Sequence, residues 1–188
     1  MTDPKLYLAP MAGYTDAAFR SLCVSFGADV VTTEMISAKG LRYGSVKTGA
    51  LFETLPEERP VTVQLFGREP EIMGDAAEEI GARLGPALRG IDINMGCPAP
   101  KITKNGEGSA LMLEPEQAAR VIEAVAKRSA VPVSVKFRKG WDEAGGDPAA
   151  FAEMCQESGA ALLTVHPRYR NQMYAGEADW SVIARVKG

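Results

Sequence analysis

The fold turns on "LYLAPMAGYTD", residues 6–16, an apolar run that breaks at Pro10 into a short loop and a helix-start signal. If the sheet were an open doubly wound one, the first strand would lead into a glycine-rich GxGxxG turn. Here it leads into "APMAGYTD" instead. The first strand and its loop therefore point to a barrel, and the rest of the chain has to supply the repeats.

Five further segments are read as strands: "ADVVTTEM" (28–35), "VTVQLFG" (61–67), "GIDINMG" (90–96), "VPVSVKFR" (131–138) and "ALLTVHPR" (161–168). Read as apolar on both faces, they suit parallel strands covered by helices. They recur at roughly 25 to 45 residues, the length of a βα unit. Helical patterns fill the gaps. "TDAAFRSLCVSFG" has Thr15 or Asp16 as N-cap and Gly27 as its stop, and "EPEQAARVIEAVAKRS" has Pro115 in its first turn and basic residues in its last. "EPEIMGDAAEEIGARLG", "DPAAFAEMCQESG" and "DWSVIARVKG" read the same way.

Repeated β-α units predict an α/β fold of the (β/α)8 TIM-barrel type, of which this chain supplies the first six units. A complete barrel takes about 250 residues, and the chain has 188. An open arrangement of six strands would leave two long edges. The active site of such a fold lies at the C-terminal strand ends, where Met11, Glu34, Gln64, Asn94, Cys97, Lys136, Arg138 and His166 fall.

Composition narrows the classes. Hydrophobic residues make up 46% and charged residues 24%, which excludes a disordered chain, and a net charge of −3 argues against coating nucleic acid by bulk charge. No stretch approaches the roughly 20 apolar residues of a membrane span. Three widely spaced cysteines without a CxxC pair speak against a disulfide framework or a zinc site, so no metal is expected and the expected compartment is a reducing cytoplasm.

Each candidate residue has a plain and a functional reading. Cys23 and Cys155 lie in helical patterns and read as buried small hydrophobes. Cys97, between Gly96 and Pro98 at a strand end, reads as a thiol at the barrel mouth. Lys136 and Arg138 share one side of their strand: they are either two cations inside the barrel, which need a compensating ligand, or a strand end snorkelling to solvent. Gln64 is an unpaired amide in an apolar strand. His166, the single histidine, is either structural or a ligand contact. Glu34 reads as a structural acid paired with Lys136 or Arg138, and Glu107 and Asp179 as helix-start residues. Arg68, Lys101, Lys104, Lys139, Arg168 and Arg170, interleaved with Tyr169 and Tyr174, form a basic rim suited to a polyanion such as RNA.

Taken in order, "LAPMAGYTDAAFR", "TEMISAKGL", "VQLFG", "DINMGCPAPKITKNGEGSALM", "VPVSVKFRKGW" and "TVHPRYRNQMYAGEADW" span nearly the whole chain. In these motifs it resembles the tRNA-dihydrouridine synthase family, flavin enzymes with a TIM-barrel catalytic domain. The resemblance implies FMN as cofactor, NADPH as reductant and tRNA as partner. It implies that Pro10, Met11 and Ala12 lie along the flavin, that Gln64, Lys136 and His166 make its further polar contacts, and that Asn94, Arg138 and Tyr174 hold the target uracil. Cys97 matches the family's catalytic cysteine, which gives a proton to C5 of the uracil while hydride arrives at C6. A thiol suits that role because it is largely protonated near neutrality, and the base must leave its stack to be reached.

The resemblance also implies what is missing: the last barrel units with their phosphate-binding glycines, and the C-terminal helical tRNA-binding domain. Residues 1–188 are thus expected to be the N-terminal part of the flavin-binding catalytic domain. The segment "PAPKITKNGEGSA" reads as a loop able to close over the base, and "HPR" as a stiffened loop after His166. Two rivals remain: a dihydroorotate dehydrogenase-like flavin enzyme, which shares an Asn and Cys-Pro segment, and an inactive or RNA-binding remnant.

Overall fold

The computed structural model describes residues 5–45 and 51–187. Strands β1 (Tyr7–Leu8) and β2 (Val30–Val31) pair in parallel; β3 (Ile36–Ser37), β4 (Val61–Phe66), β5 (Leu88–Met95), β6 (Val133–Gly140) and β7 (Leu162–Tyr169) form a second parallel sheet in chain order. A bridge from Thr32 to Thr62 joins the two. The expected α/β fold with a parallel sheet is present. Among the described residues β1 does not pair with β7, so they do not form a closed barrel.

One predicted strand is interrupted. The sequence predicts a continuous strand over 28–35, but Thr33 turns its hydroxyl into the ladder and accepts the Gln64 backbone N–H at 3.1 Å, while its own N–H donates to the Thr62 carbonyl. Pairing resumes one turn later as β3.

The helices start where the sequence signals them. In α1 (Ala17–Ser25) the N-cap is Asp16, which accepts from Phe19 N–H at 2.8 Å; Thr15 instead bonds back to Met11. Gly27, at φ 98°, stops it. Next come α2 (Ala38–Arg42) and α3 (Pro70–Leu84), then α4 (Pro100–Thr103) and α5 (Pro115–Arg128). α6 (Pro148–Glu157) is capped by Asp147, and α7 (Ser181–Lys187) follows Asp179, which accepts from Ser181 N–H. In α5 the buried residues Ala118, Val121, Ile122 and Val125 follow the i, i+3, i+4, i+7 pattern of a core-facing stripe.

The strands are not apolar on both faces. Val63, Leu65, Ile91, Ile93, Val135 and Phe137 are wholly buried and belong to one core with α3, α5 and α6. Each such side chain contributes about 1.5–3 kcal/mol of burial energy, and Phe137 adds a tilted contact with Phe151 at 5.2 Å between centroids. The alternate positions, Gln64, Asp92, Asn94, Ser134, Lys136, Arg138 and His166, point the other way, as a period of two requires. Pairing sets them side by side: Gln64 opposite Asp92, Asp92 opposite Ser134, Asn94 opposite Lys136, and Arg138 opposite His166.

A candidate active site at the strand ends

The inward polar face ends in a cavity of about 460 Å³ lined by Pro10, Met11, Ala12, Gln64, Asn94, Cys97, Lys136, Arg138, His166 and Tyr174. The ten residues that the resemblance assigns to catalysis, flavin and uracil come together there, whereas Glu34, the remaining strand-end candidate, does not line it. Ala9, Tyr14, Met35 and Gly96 complete the wall.

Asn94 organises the thiol-bearing turn. Its Oδ1 accepts the backbone N–H of Gly96 at 3.2 Å and of Cys97 at 2.9 Å, and its Nδ2 donates to Gln64 Oε1 at 2.9 Å. Gln64 is not unpaired, as the sequence suggests, but paired on both sides, because its Nε2 donates to Asp92 Oδ2 at 2.7 Å. Asp92 and Ser134 escaped the sequence reading. The alternation in "DIN" and "VSVK" carried the signal, since it places both on the face of Asn94 and Lys136.

The segment after Cys97 is folded rather than open. Residues 100–103 form a helical turn and 108–113 a 3-10 turn, and Ser109 binds the Cys97 carbonyl through its N–H at 3.1 Å and its hydroxyl at 2.9 Å. Gly108 makes this approach possible: its φ is +60°, and a Cβ there would lie 2.9 Å from the Cys97 carbonyl oxygen.

Arg138 does not snorkel. It is 2% exposed, and its Nε donates to Gly96 O while Nη1 donates to Tyr169 O and Met173 O. Burial draws its pKa down, with Tyr174 and Cys97 pulling it up, yet a guanidinium keeps its charge. It stacks 5.6 Å from the Tyr174 ring centroid. Met173 is held at φ 53°, an uncommon conformation for a side-chain-bearing residue, with its carbonyl aimed at Arg138. Lys136 also faces inward. Burial lowers its pKa, Asp92 opposes that and Arg138 adds to it; among the described residues its amine makes no hydrogen bond or ion pair.

His166 lies within β7, and the register slips just beyond it, so that Gly140 faces Tyr169. Pro167 therefore sits at a bulge inside a strand, not in a loop, where its missing N–H is tolerated. Arg168 Nη1 stands 3.1 Å from His166 Nε2. Arginine can only donate, so Nε2 accepts and the ring proton resides on Nδ1. Burial first, and then the charges of Arg138, Lys136 and Arg168, push the imidazole pKa down to about 4.

Other expectations change. Glu34 pairs with neither cation; its carboxylate accepts the Gly13 N–H and so ties the loop after β1 to the segment between β2 and β3. Cys23 is half-buried, whereas Cys155 is fully buried and its thiol is pushed up to about 12 by burial. The basic rim is partly spent: Arg68 pairs with Glu114, Lys139 with Asp179, and Arg170 lies over Trp141. Lys101 and Lys104 stay exposed. Among the described residues no helix is long and apolar enough to cross a membrane.

A parallel α/β sheet that collects a thiol, two inward cations and a neutral imidazole at its strand ends defines a protein built to hold and act on a polar ligand. Residues 7–188 match the family described as dihydrouridine synthase (Dus). The chain belongs to that family. It is 40% identical over 184 residues to a probable tRNA-dihydrouridine synthase of Treponema pallidum, covering 95% of this chain and 54% of the relative. It is 43% identical over 187 residues to one of Rhodobacter capsulatus (98% and 56%), and 41% identical over 187 residues to tRNA-dihydrouridine synthase B of Xanthomonas axonopodis pv. citri (98% and 54%). The chain thus spans about half the length of these curated relatives. The carboxyl transferase domain of Rhizobium etli pyruvate carboxylase aligns with a TM-score of 0.52 at 15% identity, over 96% of this chain and 32% of that one, a likeness of fold alone.

Proposed function

We propose that the chain is the N-terminal part of a TIM-barrel catalytic domain that reduces uridine to dihydrouridine in tRNA, with FMN as cofactor and NADPH as reductant. The observation that carries this reading is the single cavity shared by Cys97, Asn94, Gln64, Lys136, Arg138 and His166 in a chain of this family. Leu6, Tyr7 and Leu162 are exposed at the two outer strands, which suits closure by further barrel units; the phosphate-binding glycines and the helical tRNA-binding domain would lie outside these residues. A cytoplasmic location follows from the substrate.

The residues present fit a flavin. A 460 Å³ cavity is within the usual size of cofactor sites, and the unpaired amine of Lys136 together with the Nδ1–H of His166 offer donors to a ring rich in carbonyl and nitrogen acceptors. Pro10, Met11, Ala12, Gln64, Lys136 and His166 would hold it. When bound and reduced, FMN would be the source of the hydride for C6 of the uracil. Cys97 gives the proton to C5, its position fixed by Asn94 and Ser109. Arg138, anchored by three carbonyls, retains donors for a uracil carbonyl and can stabilise charge developing there. The second amide hydrogen of Asn94 donates only to the Met35 sulfur, a weak acceptor at 3.8 Å, which a uracil carbonyl would replace, and Tyr174, 73% exposed, can cover the base.

The test is dihydrouridine formation on unmodified tRNA with NADPH, together with the flavin absorbance of the purified protein. Cys97→Ala should abolish most turnover and leave flavin absorbance intact; unchanged turnover sinks the proton-donor role. Turnover of dihydroorotate in place of tRNA would favour the other flavin chemistry, and tRNA binding without flavin would favour an RNA-binding remnant.

A further inference from the structure

The polar face below the cavity contains a group that the proposed chemistry does not use. Asp92 is 5% exposed, and both its oxygens are occupied: Ser134 Oγ donates to Oδ1 at 2.5 Å and Gln64 Nε2 donates to Oδ2 at 2.7 Å. From there the bonds continue through Asn94 Nδ2 to Gln64 Oε1 at 2.9 Å, and from the Cys97 N–H to Asn94 Oδ1 at 2.9 Å.

The direction of this chain is determined at both ends. Backbone N–H groups can only donate, so Asn94 must turn its oxygen to the Cys97 turn and its amide hydrogens to Gln64. Gln64 must then present its oxygen to Asn94 and its amide hydrogens to Asp92. A run of two carboxamides that begins at a donor needs an acceptor at its far end. Asp92 Oδ2 is that acceptor, whichever partner holds the proton between Oδ1 and Ser134.

We propose that Asp92 is a positioning residue: by accepting from Gln64 it fixes the orientation of both carboxamides and so holds the backbone turn that carries Cys97. Its tie to catalysis rests on the function proposed above; its tie to the turn does not. Asp92 also faces the field of Lys136, so charge and hydrogen-bond direction must be separated. Asp92→Asn separates them. It loses the charge but can still offer Oδ1 to Gln64 while its amide donates to the Ser134 hydroxyl. Asp92→Leu loses both.

The measurement is amide hydrogen exchange at Gly96 and Cys97 in the intact protein, with the α5 amides as an internal reference. Losing a chain of buried bonds to the turn should speed exchange in Asp92→Leu by about tenfold or more. Asp92→Asn should stay within about twofold of the parent, since its bonds are kept. Unchanged exchange in Asp92→Leu overturns the proposal, as does equal acceleration in both variants, which would assign the effect to charge. Should Asp92→Leu not fold, Gln64→Met cuts the chain at its middle and must accelerate the same two amides; if it does not, the proposal fails. Where turnover is measurable, Asp92→Leu should lower kcat with little change in KM for tRNA, and Asp92→Asn should restore kcat. Absence of any dihydrouridine activity would bear on the proposed function alone, because the exchange result does not depend on it.

Discussion

Asn94 Oδ1 accepts the Cys97 backbone N–H at 2.9 Å, so the residue first read as a substrate contact is also the clasp of the turn carrying the thiol. Asn94→Ala removes the acceptor for two backbone donors. The cost should be about 1–3 kcal/mol of stability, measured by urea unfolding, with a fall in dihydrouridine formation larger than that loss alone would cause at a temperature where the variant is folded.

His166 gives a pH signature. Its folded pKa is pushed down to about 4, below the usual 6.5 or so of an unfolded histidine. Between these values the unfolded chain binds the extra proton, so the histidine's share of stability is complete above about pH 6.5 and is lost as pH falls toward about 4. As the single histidine, it can be followed unambiguously by its ring proton resonances. They should not titrate near neutrality, and Arg168→Gln should raise the midpoint.

The three thiols should differ in reactivity. Cys155, buried and with its pKa pushed up to about 12, should resist iodoacetamide in the native protein, since the thiolate is the nucleophile. Cys97 and Cys23, both half-buried, should be the labelled sites in peptide mapping. Labelling of Cys155 under native conditions would mean that the core around α6 opens.

Arg20 and Glu58 form a buried ion pair, 1% and 3% exposed, that also binds the carbonyls of Thr15 and Glu53 and the N–H of Leu55. Removing one partner strands the other charge. Arg20→Met should cost about 3–5 kcal/mol, and the double variant Arg20→Met with Glu58→Leu should recover part of that. Urea midpoints of the singles and the double form the cycle that checks it.

Finally, Gly108→Ala should shift the turn. The new methyl meets the Cys97 carbonyl oxygen at 2.9 Å in a left-handed backbone, a strain of about 1–3 kcal/mol. Faster alkylation of Cys97 with unchanged α5 amide exchange would report displacement of the turn rather than general loosening.

Much of this protein is legible along the chain. The order of the main strands and long helices, Asp16 and Pro115 as helix-start signals, and Met11, Gln64, Asn94, Cys97, Lys136, Arg138 and His166 at strand ends follow from local rules: side-chain period, capping chemistry and the position of polar groups at the ends of apolar runs; Pro10, Ala12 and Tyr174 are legible only through the family resemblance. The break at Thr33 is not legible, because a hydroxyl replaces a carbonyl in the ladder only when β4 lies beside it. Glu34 likewise finds Gly13 instead of a cation because the loop after β1 comes within reach.

What the sequence determined by itself is the parallel α/β plan and the set of groups brought to one end of the strands, since both depend on periods of a few residues. What only the tertiary structure decided is how those groups are paired. Asp92, Gln64, Asn94 and Cys97 lie on two strands and a turn, with β4 and β5 far apart in sequence, and the direction of each hydrogen bond depends on which donor or acceptor the neighbouring strand presents. That is a property of register and packing, which no single segment contains.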